Sequence, residues 1–214
     1  MSFVYNEKYF RRHYSSQVYR YYLTIRNRFI KSEISKLVSL GKFLEVGFGD
    51  DNLIKLFANN FDVFGIDISK FAVRKIKDKY NPSHFKACDV SKENIPFREK
   101  FTVVCAINVL EHLGNPKFAL QTIFKSLKKN GILVVYLPTQ SNILSRWQYK
   151  IFYDVKEHVF RPSVKTLREL LEEVGFKLHK EYAASSLPLK VSHKLVLESF
   201  NLYLGFWQRR TDSL

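Results

Sequence analysis

The sequence predicts an α/β protein with a doubly wound, mostly parallel sheet, and three observations lead to this class. From Lys42 onward, short apolar runs alternate with amphipathic helical stretches, which is typical of a parallel sheet covered by helices on both faces. The first apolar run continues into a turn with Gly47 and Gly49, directly ahead of a helical stretch. Polar residues follow the later apolar runs, at the strand ends where open parallel sheets bind their ligands.

The predicted elements follow in order along the chain. Apolar residues at helical spacing predict an amphipathic helix over roughly residues 18–38. Six strands are predicted at KFLEV (42–46), DVFGID (62–67), HFKACDV (84–90), FTVVCAIN (101–108), ILVVYLP (132–138) and FKLHKEY (176–182). The helices between them are predicted at NLIKLFANN (52–60), KFAVRKIKDKY (70–80), PKFALQTIFKSLKK (116–129) and SVKTLRELLEEVG (163–175). Ser69 is expected to cap the second of these helices, and Asn130-Gly131 and Gly175 to end the last two.

Length and composition narrow the classes of function. The chain has 214 residues, of which 46% are hydrophobic, so it can bury a substantial core and is not a disordered protein. Its two cysteines, Cys88 and Cys105, lie in apolar surroundings, which predicts buried thiols in a reducing compartment, with the cytoplasm as the expected location. No apolar run approaches the roughly 20 residues of a membrane span. We expect an N-terminal helical cap over 1–42, a cofactor-binding core over 43–183 and a tail or helix over 184–214.

The charge is strongly positive. The formal net charge of +15 favours anionic partners. Residues 1–42 contain nine Lys and Arg against two acids, together with many aromatic residues. Such a mixture can indicate nucleic-acid binding. The helical spacing favours the alternative, an amphipathic cap with a solvated basic face.

The strand-end residues point to an adenosine-containing ligand. Asp67 lies 20 residues after Gly47, the separation at which an acid reaches the ribose hydroxyls of such a ligand. A dinucleotide would require a third glycine where its pyrophosphate meets the helix, but that position is Asn52 and two aspartates precede it. Because S-adenosylmethionine carries positive charge and no phosphate, it suits these acids better.

Known sequences support the same ligand. The ordered series EVGFGD, VFGIDIS, ACDV, INVLEHL, LKKNGILVVYLP and EHVFRPSVKTLRELLEEVGF resembles the class I S-adenosylmethionine-dependent methyltransferases, especially the group related to quinone-biosynthesis and other small-molecule methyltransferases. The likeness covers roughly residues 40–182. It implies a Rossmann-like fold, S-adenosylmethionine as methyl donor and S-adenosylhomocysteine as product. The implied cofactor contacts are Glu45, Gly47 and Gly49 around the methionine part, Asp67 on the ribose, Ile68 against the adenine, Asp89 and Val90 at the adenine edge, and Asn108 with Leu110 beside the methyl group.

Two features depart from the family pattern. Asp51 stands where the family often has another glycine. We expect it to cap the following helix and to alter loop geometry or affinity without abolishing cofactor binding. The family also closes its sheet with a seventh, antiparallel strand, but this chain stops at TDSL. That strand is therefore expected to be absent or rudimentary, unless the tail folds otherwise.

Two histidines are the candidates for a general base. Oxygen and nitrogen nucleophiles lose a proton as they take a methyl group, so His112, near the end of the fourth strand, and His158, in EHVF, are the predicted catalytic residues. The alternative for His112 is a structural or substrate-edge role. The alternative for His158 is to fix the loop before the last helix. No metal ligands are predicted.

The methyl acceptor is expected under the N-terminal cap and the segment 139–162. We therefore expect residues 1–42 to act in acceptor binding rather than cofactor binding. Such a pocket fits an aromatic or lipid-like small molecule with negative charge, although aromatic residues are also common in an ordinary hydrophobic core. The residues of the segment that are expected to line the pocket are Arg146, Trp147, Tyr149, Lys150, Phe152 and Tyr153.

Other functions and contacts remain open. An RNA methyltransferase acting on a modified tRNA base would account for the basic N-terminus, and a non-enzymatic binding module on the same fold is a further alternative. The apolar and basic tail suggests peripheral membrane contact, a dimer contact or a cover for the sheet. The sequence indicates neither an oligomeric state nor whether an oxygen, nitrogen or carbon atom of the acceptor is methylated.

Overall fold

A computed structural model describes residues 17–140, 158–182 and 202–210, which form one seven-stranded sheet with helices on both faces. The helices are α1 (Gln17–Ser35), α2 (Ile54–Phe57), α3 (Lys70–Ile76), α4 (Pro116–Ser126) and α5 (Val164–Val174). The strands are β1 (Gly41–Val46), β2 (Phe61–Asp67), β3 (Phe85–Ala87), β4 (Phe101–Ile107), β5 (Leu127–Pro138), β6 (Phe176–Tyr182) and β7 (Leu202–Arg209). Short 3-10 turns lie at Pro82–His84 and Leu110–His112.

The sheet has the strand order β3-β2-β1-β4-β5-β7-β6. All pairings are parallel except those of β7, which runs antiparallel to both β5 and β6. The strand order reverses between β1 and β4, and in open sheets of this kind ligands bind outside the strand ends at the reversal. We call the edge at which the parallel strands end the carboxyl edge, and the opposite edge the amino edge. The predicted fold class is confirmed.

The seventh strand is complete, so the expectation that it is absent or rudimentary is wrong. β7 pairs with β5 over seven consecutive residues, from Leu202 to Gln208, and also pairs with β6. Tyr203, Phe206 and Trp207 are fully buried. Because residues 202–207 are apolar on both faces, they suit a strand between two neighbours. The mixture of apolar and basic residues around them obscures this strand in the sequence.

The core consists of two layers, one on each face of the sheet. One layer joins α1, α2 and α3 to side chains such as Phe43 and Cys105, and the other joins α4 and α5 to their neighbours Leu44 and Val104. The alternation of side chains along each strand thus assigns successive residues to opposite layers. Glu45 follows Leu44, which places it on the face that α1 covers.

The helix ends mostly agree with the sequence. The side chains of Ser69 and Ser163 accept hydrogen bonds from the first turns of α3 and α5, and Gly175 ends α5 in the left-handed conformation at φ 109°. The end of α4 differs, because the helix stops at Ser126 and Leu127 already pairs with β4. Leu127 is fully buried, so residues 128–131 loop out of the ladder instead of continuing the helix. Within the described residues, no helix combines the length and apolar character that a membrane span requires.

Candidate active site

The glycine turn lies at the end of β1, on the carboxyl edge. Gly47 and Gly49 have φ values of 70° and 57°, a conformation that glycine adopts at no steric cost. A Cβ atom at Gly47 would lie 2.5 Å from Cγ2 of Val109. The turn therefore packs closely against the segment after β4, and larger residues would not fit at Gly47.

Asp67 ties the glycine turn to the end of β2. Its Oδ2 accepts a hydrogen bond of 2.9 Å from the backbone N–H of Gly49, and its Oδ1 accepts one of 2.7 Å from Ser69. Burial raises the pKa of Asp67, while these two hydrogen bonds oppose the rise. The neighbouring Ile68 is 54% exposed, which is unusual for a large apolar residue beside a strand end. The two predicted ribose and adenine residues therefore stand side by side at the edge.

Glu45 is a buried carboxyl group beneath the turn. The backbone N–H of Ile54 donates to it, but among the described residues its Oε2 accepts no hydrogen bond. Burial raises the pKa of Glu45 well above its usual range, and the positive charge of Arg26 opposes this rise. An unpaired buried carboxylate oxygen is costly unless a ligand donates to it.

Asp51 does not cap the helix, so that expectation is wrong. Its side chain turns away from α2 toward Lys79 Nζ, at 3.1 Å, and the hydroxyl of Tyr80, at 3.4 Å, while α2 has no side-chain cap. Asp51 has a φ of 63°, which is the conformation that a glycine would supply and that Asp tolerates. The ion pair with Lys79 therefore holds Asp51 in a backbone conformation suited to glycine.

The remaining predicted cofactor residues lie after β3 and β4. Asp89 accepts hydrogen bonds from the backbone and hydroxyl of Ser91 and from Lys92. Burial alone would raise the pKa of Asp89, but these hydrogen bonds outweigh that effect and lower the pKa. Val90 and Leu110 are buried. Asn108, at φ 53°, donates its backbone N–H to the carbonyl of Tyr136, so this strand end turns sharply.

Helix α1 brings a group of residues to the carboxyl edge that sequence reasoning missed. The hydroxyls of Tyr22 and Tyr136 are hydrogen bonded to each other, and the guanidinium of Arg26 lies 5.2 Å from the centre of the Tyr136 ring. Burial raises the pKa of both Glu45 and Glu111, and the charge of Arg26 opposes the rise in each. Arg26 therefore stands near the carboxyl groups of the glycine turn and of the segment after β4. No local pattern links residue 26 to residue 45, so the sequence carries no signal for this contact.

The two predicted catalytic histidines meet at the same edge. The rings of His112 and His158 are 4.7 Å apart and inclined at 70°. Their ligand atoms and those of Glu111 all lie within 4.8 Å of one another. The segment of His158 is held in place because the backbone N–H of Phe160 donates to the carbonyl of Glu111, at 3.0 Å, and Arg161 Nε donates to the carbonyl of His158, at 2.8 Å.

Glu111 is the member of this cluster that sequence reasoning missed. It is fully buried, and its Oε2 accepts no hydrogen bond from the described residues. Burial raises the pKa of Glu111 to about 8, although the nearby charge of Arg26 opposes the rise. A protonated carboxyl group can donate a hydrogen bond, whereas binding a divalent cation would require it to be ionised. The segment 141–157, with the six predicted acceptor-lining residues, lies outside the described residues.

A family model described as a methyltransferase domain matches residues 14–181, which is most of the chain. The chain belongs to this methyltransferase family. The methyltransferase is 32% identical over 157 residues to an uncharacterized protein of Methanocaldococcus jannaschii, a match that covers 69% of this chain and 71% of that protein. It is 29% identical over 139 residues to the ubiquinone biosynthesis O-methyltransferase of Pelagibacter ubique, covering 59% of this chain and 57% of that enzyme.

Solved structures share the fold of the methyltransferase. A putative sarcosine dimethylglycine methyltransferase from Galdieria sulphuraria has a TM-score of 0.68 at 14% identity, with 86% of this chain and 85% of that chain covered. An S-adenosylmethionine-dependent methyltransferase from Clostridium acetobutylicum has a TM-score of 0.63 at 12% identity, with 89% and 92% covered. The methyltransferase is accordingly a transferase that takes its methyl group from S-adenosylmethionine.

Proposed function

We propose that the methyltransferase transfers the methyl group to an oxygen or nitrogen atom of a small-molecule acceptor held between α1 and the cluster of Glu111, His112 and His158. The observation that carries this proposal is that this cluster assembles just after β4, directly following the predicted cofactor residues Asn108 and Leu110. S-adenosylmethionine supplies an electrophilic methyl group on a sulfonium. The protein therefore has to orient the acceptor and, where the nucleophile is protonated, remove its proton.

The residues around the glycine turn fit the methyl donor. Glu45 Oε2 lacks a donor among the described residues, and the ammonium group of the methionine part can provide one. Each oxygen of Asp67 accepts one backbone N–H and keeps a lone pair for a ribose hydroxyl. The exposed side chain of Ile68 is available to the adenine. The proposed cofactor site further includes Gly47, Gly49, Asp89, Val90, Asn108 and Leu110.

Arg26 extends the proposed cofactor site onto α1. A guanidinium near Glu45 is placed to pair with the carboxylate of the methionine part while Glu45 pairs with its ammonium group. The guanidinium of Arg26 lies over the ring of Tyr136, a cation–π contact that helps to hold it in this position. In this arrangement α1 serves the cofactor as well as the acceptor, which differs from the expectation that residues 1–42 serve the acceptor alone.

The histidine pair is proposed to take up the proton of the acceptor. His112 is partly exposed and lies near the end of β4, so it is the first candidate for the base. The buried His158 packs against its ring. Glu111, protonated near neutral pH, can donate a hydrogen bond and hold an imidazole in position. Tyr19 and Tyr22, whose ring centres are 6.2 Å apart on α1, offer an aromatic surface to the acceptor.

Calorimetry of S-adenosylhomocysteine binding tests the proposed cofactor site. We expect Asp67→Ala to weaken binding by about 1 to 3 kcal/mol, because hydrogen bonds to a charged group are lost. Arg26→Gln should weaken S-adenosylhomocysteine but not 5′-methylthioadenosine, which lacks the amino-acid part. Arg28→Gln, an exposed neighbour on α1, is the matched control and should change neither affinity. Folded protein that binds neither ligand at millimolar concentration would contradict the proposed site.

RNA is a second candidate acceptor, and the net charge of +15 favours it. Incubation with a methyl-labelled donor, once with pools of small molecules and once with total RNA, separates the two candidates. Label in the small-molecule fraction supports the first proposal. Label in RNA of wild-type samples, lost with His112→Ala, supports the second.

A further inference from the structure

The amino edge of the sheet carries a group of exposed cations on the side away from the proposed active site. They lie at the end of α4, in the loop within β5, at the start of β6 and just after β7. We call them the basic edge: Lys125, Lys128, Lys129, Lys177 and Arg210.

The strand register brings these residues together. Lys128 and Lys129 belong to the loop that leaves the ladder between Leu127 and Ile132. Ile132 pairs with Gln208, and Gln208 pairs with Lys177 on its other side. The backbone N–H of Arg210 donates to the carbonyl of Gly175. Three neighbouring strands thus present their cations on one continuous surface.

The fold does not use these charges to hold itself together. Two other cations bind the end of α4, since Lys100 donates to the carbonyl of Lys125 and Arg209 donates to that of Leu127. None of the five side chains of the basic edge forms an ion pair with an acid of the described residues. Like charges placed together repel one another, so the cluster disfavours folding unless an anionic partner offsets the repulsion.

We propose that the basic edge is a docking surface for the phosphate backbone of structured, double-stranded RNA. The proposal goes beyond the proposed function, because an RNA held there anchors the enzyme whichever molecule accepts the methyl group. Phosphates are the natural partners of a surface made of Lys and Arg. The basic edge exposes no aromatic side chain, and binding of single strands usually relies on such stacking platforms.

The surface is poorly suited to a membrane. Interfacial binding is strengthened by apolar side chains that enter the lipid, and the large apolar residues exposed in the described parts of the chain lie elsewhere: Tyr21, Leu37, Leu40, Ile68 and Val159. Leu40, which precedes β1, is two strands away from β5. A membrane at the amino edge would also place the carboxyl edge roughly 20 Å farther from the lipid, at about 3.3 Å per strand residue.

The choice of RNA over DNA rests on RNA as the second candidate acceptor of the proposed function. A stem-loop of RNA presents unpaired bases, whose nitrogen and oxygen atoms are methyl acceptors of the required kind. Duplex DNA would first have to flip a base out of its stack. Binding can be measured without methyl donor, so failure of this proposal is distinguishable from failure of the proposed reaction.

Fluorescence anisotropy with a labelled RNA hairpin of about 20 base pairs, at several salt concentrations, tests the proposal. The test variant is K128Q/K129Q/K177Q, and the matched control is K70Q/R74Q/K77Q, which removes the same charge from exposed positions on and just after α3. We expect the test variant to weaken binding about tenfold or more. The slope of the logarithm of its binding constant against the logarithm of the salt concentration should become shallower by about 2 to 3, at about 0.9 per lost phosphate contact. The control should stay within about threefold of wild type.

Three results would overturn the proposal. The first is equal weakening in both variants, which would mean attraction by net charge alone. The second is no binding of the hairpin by wild type at about 0.15 M salt, the physiological range. The third is stronger binding, sensitive to the test variant, of a DNA duplex of the same sequence or of vesicles with anionic lipid. Unchanged calorimetry with S-adenosylhomocysteine and unchanged circular dichroism confirm that the test variant is folded.

Discussion

Glu111 is a carboxyl group that the fold keeps protonated near neutral pH. Its pKa of about 8 in the folded chain, raised by burial, exceeds the usual value of a glutamic acid in an unfolded chain, about 4.3. Between these two values the unfolded chain has released a proton that the folded chain retains. The free energy of unfolding therefore falls as the pH rises through this window, by up to about 1.4 kcal/mol per pH unit for one proton.

We expect Glu111→Gln to remove this part of the pH dependence. Urea unfolding at pH 5, 6.5 and 8 should show that the variant gains stability relative to wild type as the pH rises. Glu173→Gln, at an exposed position, is the control and should keep the slope of wild type. Parallel curves for wild type and Glu111→Gln would show that the carboxyl group titrates normally in the folded protein.

The histidine pair makes a prediction for catalysis. If the acceptor is a hydroxyl or amine, His112→Ala should lower turnover roughly 100-fold or more while the affinity for S-adenosylhomocysteine persists. His158→Ala should lower turnover too, because its ring packs against that of His112. The exposed His179 provides the control substitution.

The pH profile gives an independent check of the same idea. A histidine base makes turnover rise with pH through an apparent pKa of about 6.5. The apparent pKa of this pH profile should change in the variant Glu111→Gln. Near-full activity of both histidine variants across this range would mean that positioning alone drives the reaction.

At the scale of elements, the buried carboxyl group of Glu33 joins helix α1 to strand β6. Glu33 Oε2 accepts hydrogen bonds of 2.7 Å from Lys180 and from Tyr182 of β6, and its other oxygen contacts Lys36. Although burial opposes them, these hydrogen bonds lower the pKa of Glu33 to about 2. The stability that Glu33 contributes is thus present above about pH 4.5 and is lost as the pH falls toward 2.

We expect Glu33→Gln to lower the free energy of unfolding by about 2 to 4 kcal/mol at pH 7, since several charge-assisted hydrogen bonds are weakened. Thermal unfolding should show that the gap to wild type narrows below about pH 4. Glu169→Gln, whose ion pair with Lys165 is exposed, should have little effect. A gap that does not change between pH 7 and pH 3 would contradict the assignment.

The elements show which features the sequence reveals and which it hides. Strands β1 to β6 follow from local runs of apolar residues, and Ser69 and Gly175 mark helix ends with side chains that act locally. β7 is hidden because its apolar residues lie amid basic ones, and only pairing with β5 and β6 defines it. The Arg26 contact is hidden for a related reason. It depends on how α1 crosses the sheet, which no spacing within the chain records.

The residues of the candidate site likewise divide into those that the sequence predicts and those that it does not. The turn with Gly47 and Gly49 and the acid Asp67 can be predicted because the chemistry requires them at a certain spacing. The meeting of His112 and His158 cannot, since the two residues are 46 positions apart and come together through tertiary contacts such as the backbone hydrogen bond of Phe160 with Glu111. The role of Asp51 was predicted wrongly because Lys79, its partner, follows α3 and is distant in sequence.

At the scale of the whole molecule, residues 1–16 precede α1 and lie outside the described residues. Because α1 itself carries Arg26, removal of residues 1–16 alone should leave the affinity for S-adenosylhomocysteine within a few fold, while activity collapses. Calorimetry and a labelled-methyl assay on the truncated protein provide the measurement, with circular dichroism to confirm folding. An equal loss of affinity and activity would refute a role for this segment in acceptor binding.

The position of β7 between β5 and β6 has a consequence for synthesis. A ribosome makes β7 after every other strand of the sheet, yet β6 has no other strand partner in the described sheet. Until Leu202–Arg209 has left the exit tunnel, β6 has no strand to pair with. The place that Tyr203 and Trp207 occupy between β5 and β6 in the folded sheet is then empty. Over this period the nascent chain exposes the unpaired edges of β5 and β6, and such edges favour chaperone binding and aggregation. A chain truncated just before Leu202 would keep both edges exposed and should aggregate.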